Sequence, residues 1–166
     1  MKKNIFLLKG HLSALVLIFG LLVHSNSFAG TQMPSFSLEG VSEDTLITSE
    51  SLEGDVVLVS FFATWCPPCV QEIPGFITLT NEFADDDFTL LAVSVDQGGS
   101  KVVTEFMQQH DINYTVALAT QKILQDFGGV YGIPVSFLVN KEGDVVKRYT
   151  GYVPHNLLSK EIKSLL

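Results

Sequence analysis

Hydrophobic and polar positions from residue 31 onward change period several times. Asp55-Val56-Val57-Leu58-Val59-Ser60-Phe61-Phe62 is almost continuously apolar and β-branched, which predicts a central strand covered on both faces. It runs straight into Ala63-Thr64-Trp65-Cys66-Pro67-Pro68-Cys69. Two prolines suit the first turn of a helix, where their missing N–H groups have no intrahelical use. Val70, Ile73, Phe76, Ile77, Thr80 and Phe83 then recur at helical spacing, and Pro74-Gly75 inside that run predicts a bend or break near Gln71. Phe88 to Val95 repeats the buried-strand pattern. A helix from Ser100 carries Val103, Phe106, Met107 and His110 on one face, and Tyr114 to Ala119 is a further strand. Ile123 to Phe127 is a short helical turn ended by Gly128-Gly129. Val135 to Val139 begins a strand at Pro134. Lys141-Glu142-Gly143-Asp144 turns it back into Val145 to Tyr149, and Leu157, Leu158, Ile162, Leu165 and Leu166 outline a closing helix. Ahead of all this, Phe36, Leu38 and Thr45 to Thr48 predict an N-terminal hairpin between Thr31 and Gly54. The sum is an α/β domain, a mixed central sheet flanked by helices.

The first residues read as an address. Lys2, Lys3 and Lys9 precede an apolar stretch from Leu12 to Val23, and Ser27-Phe28-Ala29 sets small residues at the positions a signal peptidase reads. Residues 1–29 are therefore expected to be a signal peptide or an uncleaved membrane anchor, and residues 30–166 one domain. The product is exported, either soluble in a periplasmic or other extracytoplasmic space or held at the inner membrane. Formal net charge is −8 for the whole chain and moves to about −11 without the three leader lysines, so nucleic acid and anionic lipid are not expected partners.

Both cysteines lie at the strand-to-helix junction. A Cys-x-x-Cys bridge closes too small a loop to constrain the unfolded chain much, so stability is a weak reason for the pair. Thiol-disulfide exchange is a stronger one, since it needs an ionisable sulfur and a second one within reach to resolve the mixed disulfide. At a helix start, Cys66 has the helix dipole to favour its thiolate and is the expected nucleophile; Cys69, a turn further in and more buried, resolves. Pro67 and Pro68 offer that thiolate no N–H, so its pKa is expected to be lowered only moderately. Tetrahedral zinc wants four ligands, and beyond the two cysteines there are only His110 and His155, on separate helices and without local catalytic partners; no metal and no cofactor are expected.

Val59 to Cys69 followed by Glu72-Ile73-Pro74, with Gly132-Ile133-Pro134-Val135-Ser136-Phe137-Leu138-Val139-Asn140 and then Gly143 and Gly151, resembles the TlpA/ResA-like thiol-disulfide oxidoreductases of the thioredoxin superfamily. The likeness covers essentially the whole of residues 30–166. It implies a thioredoxin-like fold with an inserted β-α unit matching Ser100 to Ala119, and a cis Pro134 facing the cysteines. There the backbone of Ile133 can receive an extended client as an added strand. It also implies that Glu72 is a candidate acceptor for the Cys69 proton, against the simpler reading of a solvated first-turn acid. Plain thioredoxins carry a buried aspartate where this chain has Ser60, so proton handling must sit elsewhere. Trp65 is expected to shield one side of the sulfur and offer clients an apolar surface.

Partners implied are disulfide-containing or dithiol client proteins, apocytochrome c being the family's commonest, and a membrane dithiol system that restores the pair. An oxidant or isomerase uses the same residues, because direction follows reduction potential. A peroxidase is disfavoured by the Trp-Cys-Pro-Pro-Cys setting. A non-catalytic client-binding module is the reading from another class.

Overall fold

The computed structural model describes residues 31–42 and 45–166; the expected leader, residues 1–29, lies outside them. Among the described residues, no helix is long and apolar enough to cross a membrane.

In chain order the strands and helices are β1 (Thr31–Gln32), β2 (Ser37–Glu39), β3 (Leu46–Thr48), β4 (Val56–Phe62), α1 (Pro67–Glu82), β5 (Phe88–Ser94), α2 (Gly99–Gln109), β6 (Thr115–Leu118), α3 (Gln121–Asp126), β7 (Val135–Val139), β8 (Asp144–Thr150) and α4 (His155–Lys163). A six-stranded sheet runs β1-β8-β7-β4-β5-β6. β4 pairs parallel with β5, β5 parallel with β6, and β4 antiparallel with β7. This is the thioredoxin-like arrangement, with α2 and β6 forming the inserted unit. The expected hairpin is a separate two-stranded sheet of β2 and β3. β1 is not part of it: Thr31 and Gln32 pair with Val145 and Asp144 of β8.

All seven residues of β4 are buried, as its unbroken apolar run demands. Strand alternation sends Val56, Leu58 and Phe62 to one core layer, shared with Cys66, Cys69, Ile73, Phe76, Leu79, Leu158 and Ile162. Val57, Val59 and Phe61 go to the other, where Phe61, Phe127 and Phe137 pack edge to face with ring centroids 4.9–6.0 Å apart.

Of the bend or break expected near Gln71, the break is absent, for the helix is continuous from Pro67 to Glu82. Proline in a helix interior costs about 3 kcal/mol, but Cys69, Glu72, Ile73, Phe76 and Leu79 are buried on both sides of it. That burial is worth more than the lost bond, at roughly 1.5–3 kcal/mol for each large apolar side chain.

Candidate active site

The parallel pair β4–β5 and the proline-led start of β7 bring three loops to one sheet edge. Val135 is the register partner of Phe61, so Pro134 reaches the edge beside Phe62, and Ala63 to Cys66 follow directly. The Ile133–Pro134 peptide is cis, as the resemblance implied. The carbonyl of Pro134 accepts the N–H of Gly151 at 2.8 Å; Gly151 has φ +84°, a conformation that side-chain-bearing residues rarely adopt.

Cys66 is the N-cap of α1, and Pro67 and Pro68 occupy its first two positions. The Cys66 carbonyl accepts the N–H of Val70 at 3.1 Å, which seats the first helical turn directly beneath it. Cys66 and Cys69 form a disulfide with their Cα atoms 5.3 Å apart. The expectation that Cys66 stands more open than Cys69 is corrected: each is 4% exposed. In the bonded form both cysteines belong to the buried core cluster, with Ala63, Ile73 and Phe76. Trp65 points outward instead and is 68% exposed. Ile133 is half-buried and packs against both core layers.

Glu72 departs most from the simplest reading of the chain. It is 3% exposed, not a solvated first-turn acid, because three residues beyond Cys69 the helix faces inward. One oxygen, Oε1, accepts the backbone N–H of Val153 at 2.8 Å, a donor 81 residues away. Burial outweighs that bond and pushes its carboxyl up to about 7. Tyr114 lies in the same layer; burial, and then the Glu72 charge, hold its phenol far above the ordinary range.

Beneath the cysteine-bearing layer, Ser60 and Ser136, each 1% exposed, are cross-strand partners. The Ser136 hydroxyl donates to that of Ser60 at 2.9 Å. A neutral pair thus stands where the sequence comparison with plain thioredoxins pointed to a missing acid. Glu72 is the buried carboxylate among the described residues, with its carboxyl pushed up to about 7.

His155 has no local catalytic partner but reaches an acid on another helix. Its Nε2 lies 3.3 Å from Glu82 Oε2, while Lys163 and Ser159 donate to Glu82 Oε1 at 2.6 and 2.9 Å, tying the end of α1 to α4. Sequence reading also missed Val153 as the donor to Glu72 and Asp96 as a partner of the loop before Trp65. Val153 carries no local signal. Asp96 does, since an acid just past the C-terminal end of a parallel strand lies where α/β sheets gather functional groups.

The model of the Redoxin family matches residues 28–166. The chain is 32% identical over 165 residues to the thiol-disulfide oxidoreductase ResA of Bacillus subtilis (strain 168), covering 95% of this chain and 90% of that one. A thiol:disulfide interchange protein of the thioredoxin family from Chlorobium tepidum TLS superposes with TM-score 0.75 at 33% identity, over 82% of this chain and 96% of the other. A second Chlorobium tepidum structure, described as a putative thiol:disulfide interchange protein DsbE, has the same TM-score and coverage at 27% identity.

Proposed function

This chain belongs to the Redoxin family and is a ResA-type thiol-disulfide oxidoreductase, and from that premise we propose that it reduces disulfides of exported client proteins through Cys66, with Cys69 resolving and Glu72 moving the proton. The observation that carries the reading is the position of a buried acid with a pKa of about 7 three residues beyond the inner cysteine.

The reduced Cys66 thiolate, favoured by the N-terminus of α1, attacks one sulfur of a client disulfide. A Cys66–client bond forms, the client S–S bond breaks, and the departing client thiolate takes a proton. Cys69 loses its proton to Glu72, and its thiolate attacks the Cys66 sulfur. The Cys66–Cys69 bond forms, and the second client thiolate leaves and is protonated. Two electrons have passed to the client, and a membrane dithiol donor returns them to the pair. Pro67 and Pro68 withhold two N–H donors from the Cys66 sulfur, which moderates its acidity and supports the reducing direction over the oxidising one.

Trp65 and the Ile133-Pro134 backbone form the client-binding margin, with an extended peptide adding its strand to Ile133. Residues 1–29 direct the chain across the membrane, leaving the domain of residues 30–166 in the periplasm or an equivalent extracytoplasmic space, free or anchored. Apocytochrome c is the proposed client.

The test is reduction of insulin by dithiothreitol. The parent protein is expected to accelerate it and the Cys66→Ser/Cys69→Ser variant to leave the background rate; equal rates would refute the assignment of these residues. A glutathione-coupled equilibrium placing the pair near the potential of strong oxidants, about −120 mV, would reverse the proposed direction.

A further inference from the structure

The loop that carries the nucleophile is held by a residue to which no role has yet been given. Ala63 to Cys66 form a turn closed by the Cys66 N–H donating to the Ala63 carbonyl at 3.2 Å. Its corner residue, Thr64, is gripped at two points by Asp96. The Thr64 N–H donates to Oδ2 at 3.0 Å and the Thr64 hydroxyl to Oδ1 at 2.7 Å. Asp96 is itself fixed at the end of β5. The Ser94 hydroxyl donates to Oδ2 at 2.8 Å, and the Asp96 N–H donates back to that hydroxyl oxygen at 3.1 Å. Ser94 is 1% exposed, so the anchor is rooted in the core. The Val95 N–H donates to the Phe62 carbonyl at 2.9 Å, carrying the β4–β5 ladder up to the point where the turn begins.

Three hydrogen bonds thus converge on one carboxylate, and hydrogen bonds to an ionised acceptor are roughly twice as strong as neutral ones. Packing holds the two ends of the turn, where Ala63 and Cys66 are buried, but Trp65 next to the corner is 68% exposed. The disulfide has two backbone supports. Helix α1 fixes Cys69 and holds Cys66 from its C-terminal side through the Val70 N–H, and the clamped turn holds Cys66 from its N-terminal side.

We infer that Asp96, through Thr64, is a positioning residue for thiol-disulfide exchange; the inference rests on the reading of Cys66 and Cys69 given above. Ring closure between two sulfurs depends on their effective concentration, which a rigid support raises and a loose one lowers. Removing the clamp therefore shifts the equilibrium between dithiol and disulfide toward the dithiol. A contact that only stabilises the fold leaves that equilibrium where it was.

The experiment measures the equilibrium constant of the full-length protein with glutathione, together with insulin reduction, for Asp96→Asn, Thr64→Val and Thr64→Ser. Asp96→Asn and Thr64→Val are each expected to disfavour the disulfide by about three- to tenfold, a potential less negative by roughly 14–30 mV. The Asp96→Asn/Thr64→Val double variant falls short of the product of the two single effects, since both act on the one clamp. Thr64→Ser, which keeps both donors, stays within twofold of the parent. If Asp96→Asn does not fold, Thr64→Val and Thr64→Ser decide the matter alone. Constants within twofold of the parent for the folded clamp variants, even with lowered melting temperatures, would overturn the inference. An inactive parent sinks the exchange reading and this inference with it, whereas an active parent with unchanged clamp variants sinks the inference only.

Discussion

Glu72→Gln tests the buried acid through stability, independently of any client. In the folded chain the carboxyl titrates near 7 against an ordinary value of 4.5; unfolding returns it to that value. Between these two pH values the native state holds the proton more tightly than the unfolded state. The derivative of stability with pH is therefore negative, at most about 1.4 kcal/mol per pH unit. Below pH 4.5 both states are protonated and there is no penalty. Above 7 both are ionised, and the native state carries the full cost of a buried charge, about 3 kcal/mol for a shift of this size. Glutamine keeps the shape and an oxygen to accept the Val153 N–H but never ionises. The variant should match the parent at pH 4.5, gain through pH 6, and exceed it by up to about 3 kcal/mol at pH 8. The assay is urea denaturation of the oxidised protein at these three pH values. A gap that is the same at all three, or that shrinks as pH rises, would refute both the burial argument and the assignment of a neutral-range proton to this residue.

Cys69→Ala removes the resolving sulfur and should strand client mixed disulfides on Cys66, visible as thiol-reversible adducts by mass spectrometry; their absence in the native host would count against client reduction. Trp65→Ala, at a side chain 68% exposed, should change stability by no more than about 0.5 kcal/mol while raising KM for a protein disulfide severalfold. Equal KM values would remove Trp65 from the client margin. Phe61→Ala empties a fully buried site between Phe127 and Phe137 and should cost about 3–5 kcal/mol in urea denaturation. A loss under 1 kcal/mol would mean that this aromatic layer repacks freely.

What could be read from the chain alone was whatever short-range pattern decides. The run Val56 to Phe62 announced a strand buried on both faces because nothing polar interrupts it on either side. Pro67-Pro68 announced a helix start, and Pro134 a strand start, because a missing N–H is tolerated only at such places. Errors arose where a distant partner outweighed the local signal. Pro74 looks like a helix breaker until the apolar contacts of Ile73, Phe76 and Leu79 are in place. For Glu72 the chain leaves a proton acceptor and a solvated first-turn acid both open, and only the fold shows the side chain buried with Val153 as its donor. Cys66 looks open because its motif places it at a helix mouth, yet in the disulfide-bonded fold it is as buried as Cys69. The link between Asp96 and Thr64 spans 32 positions and follows from β4 and β5 lying side by side, a pairing that no window of a few residues contains.

The Glu72–Val153 bond has a consequence for the order in which the protein comes into being. Synthesis delivers Cys66, Cys69 and Glu72 together, but the amide that receives the acid arrives 81 residues later, after β7 and β8 and just ahead of α4. In a partly made chain Glu72 thus lacks both its backbone donor and its burial. The acid's raised pKa therefore belongs to the finished fold, with the C-terminal segment in place over Glu72, and not to the motif that carries it.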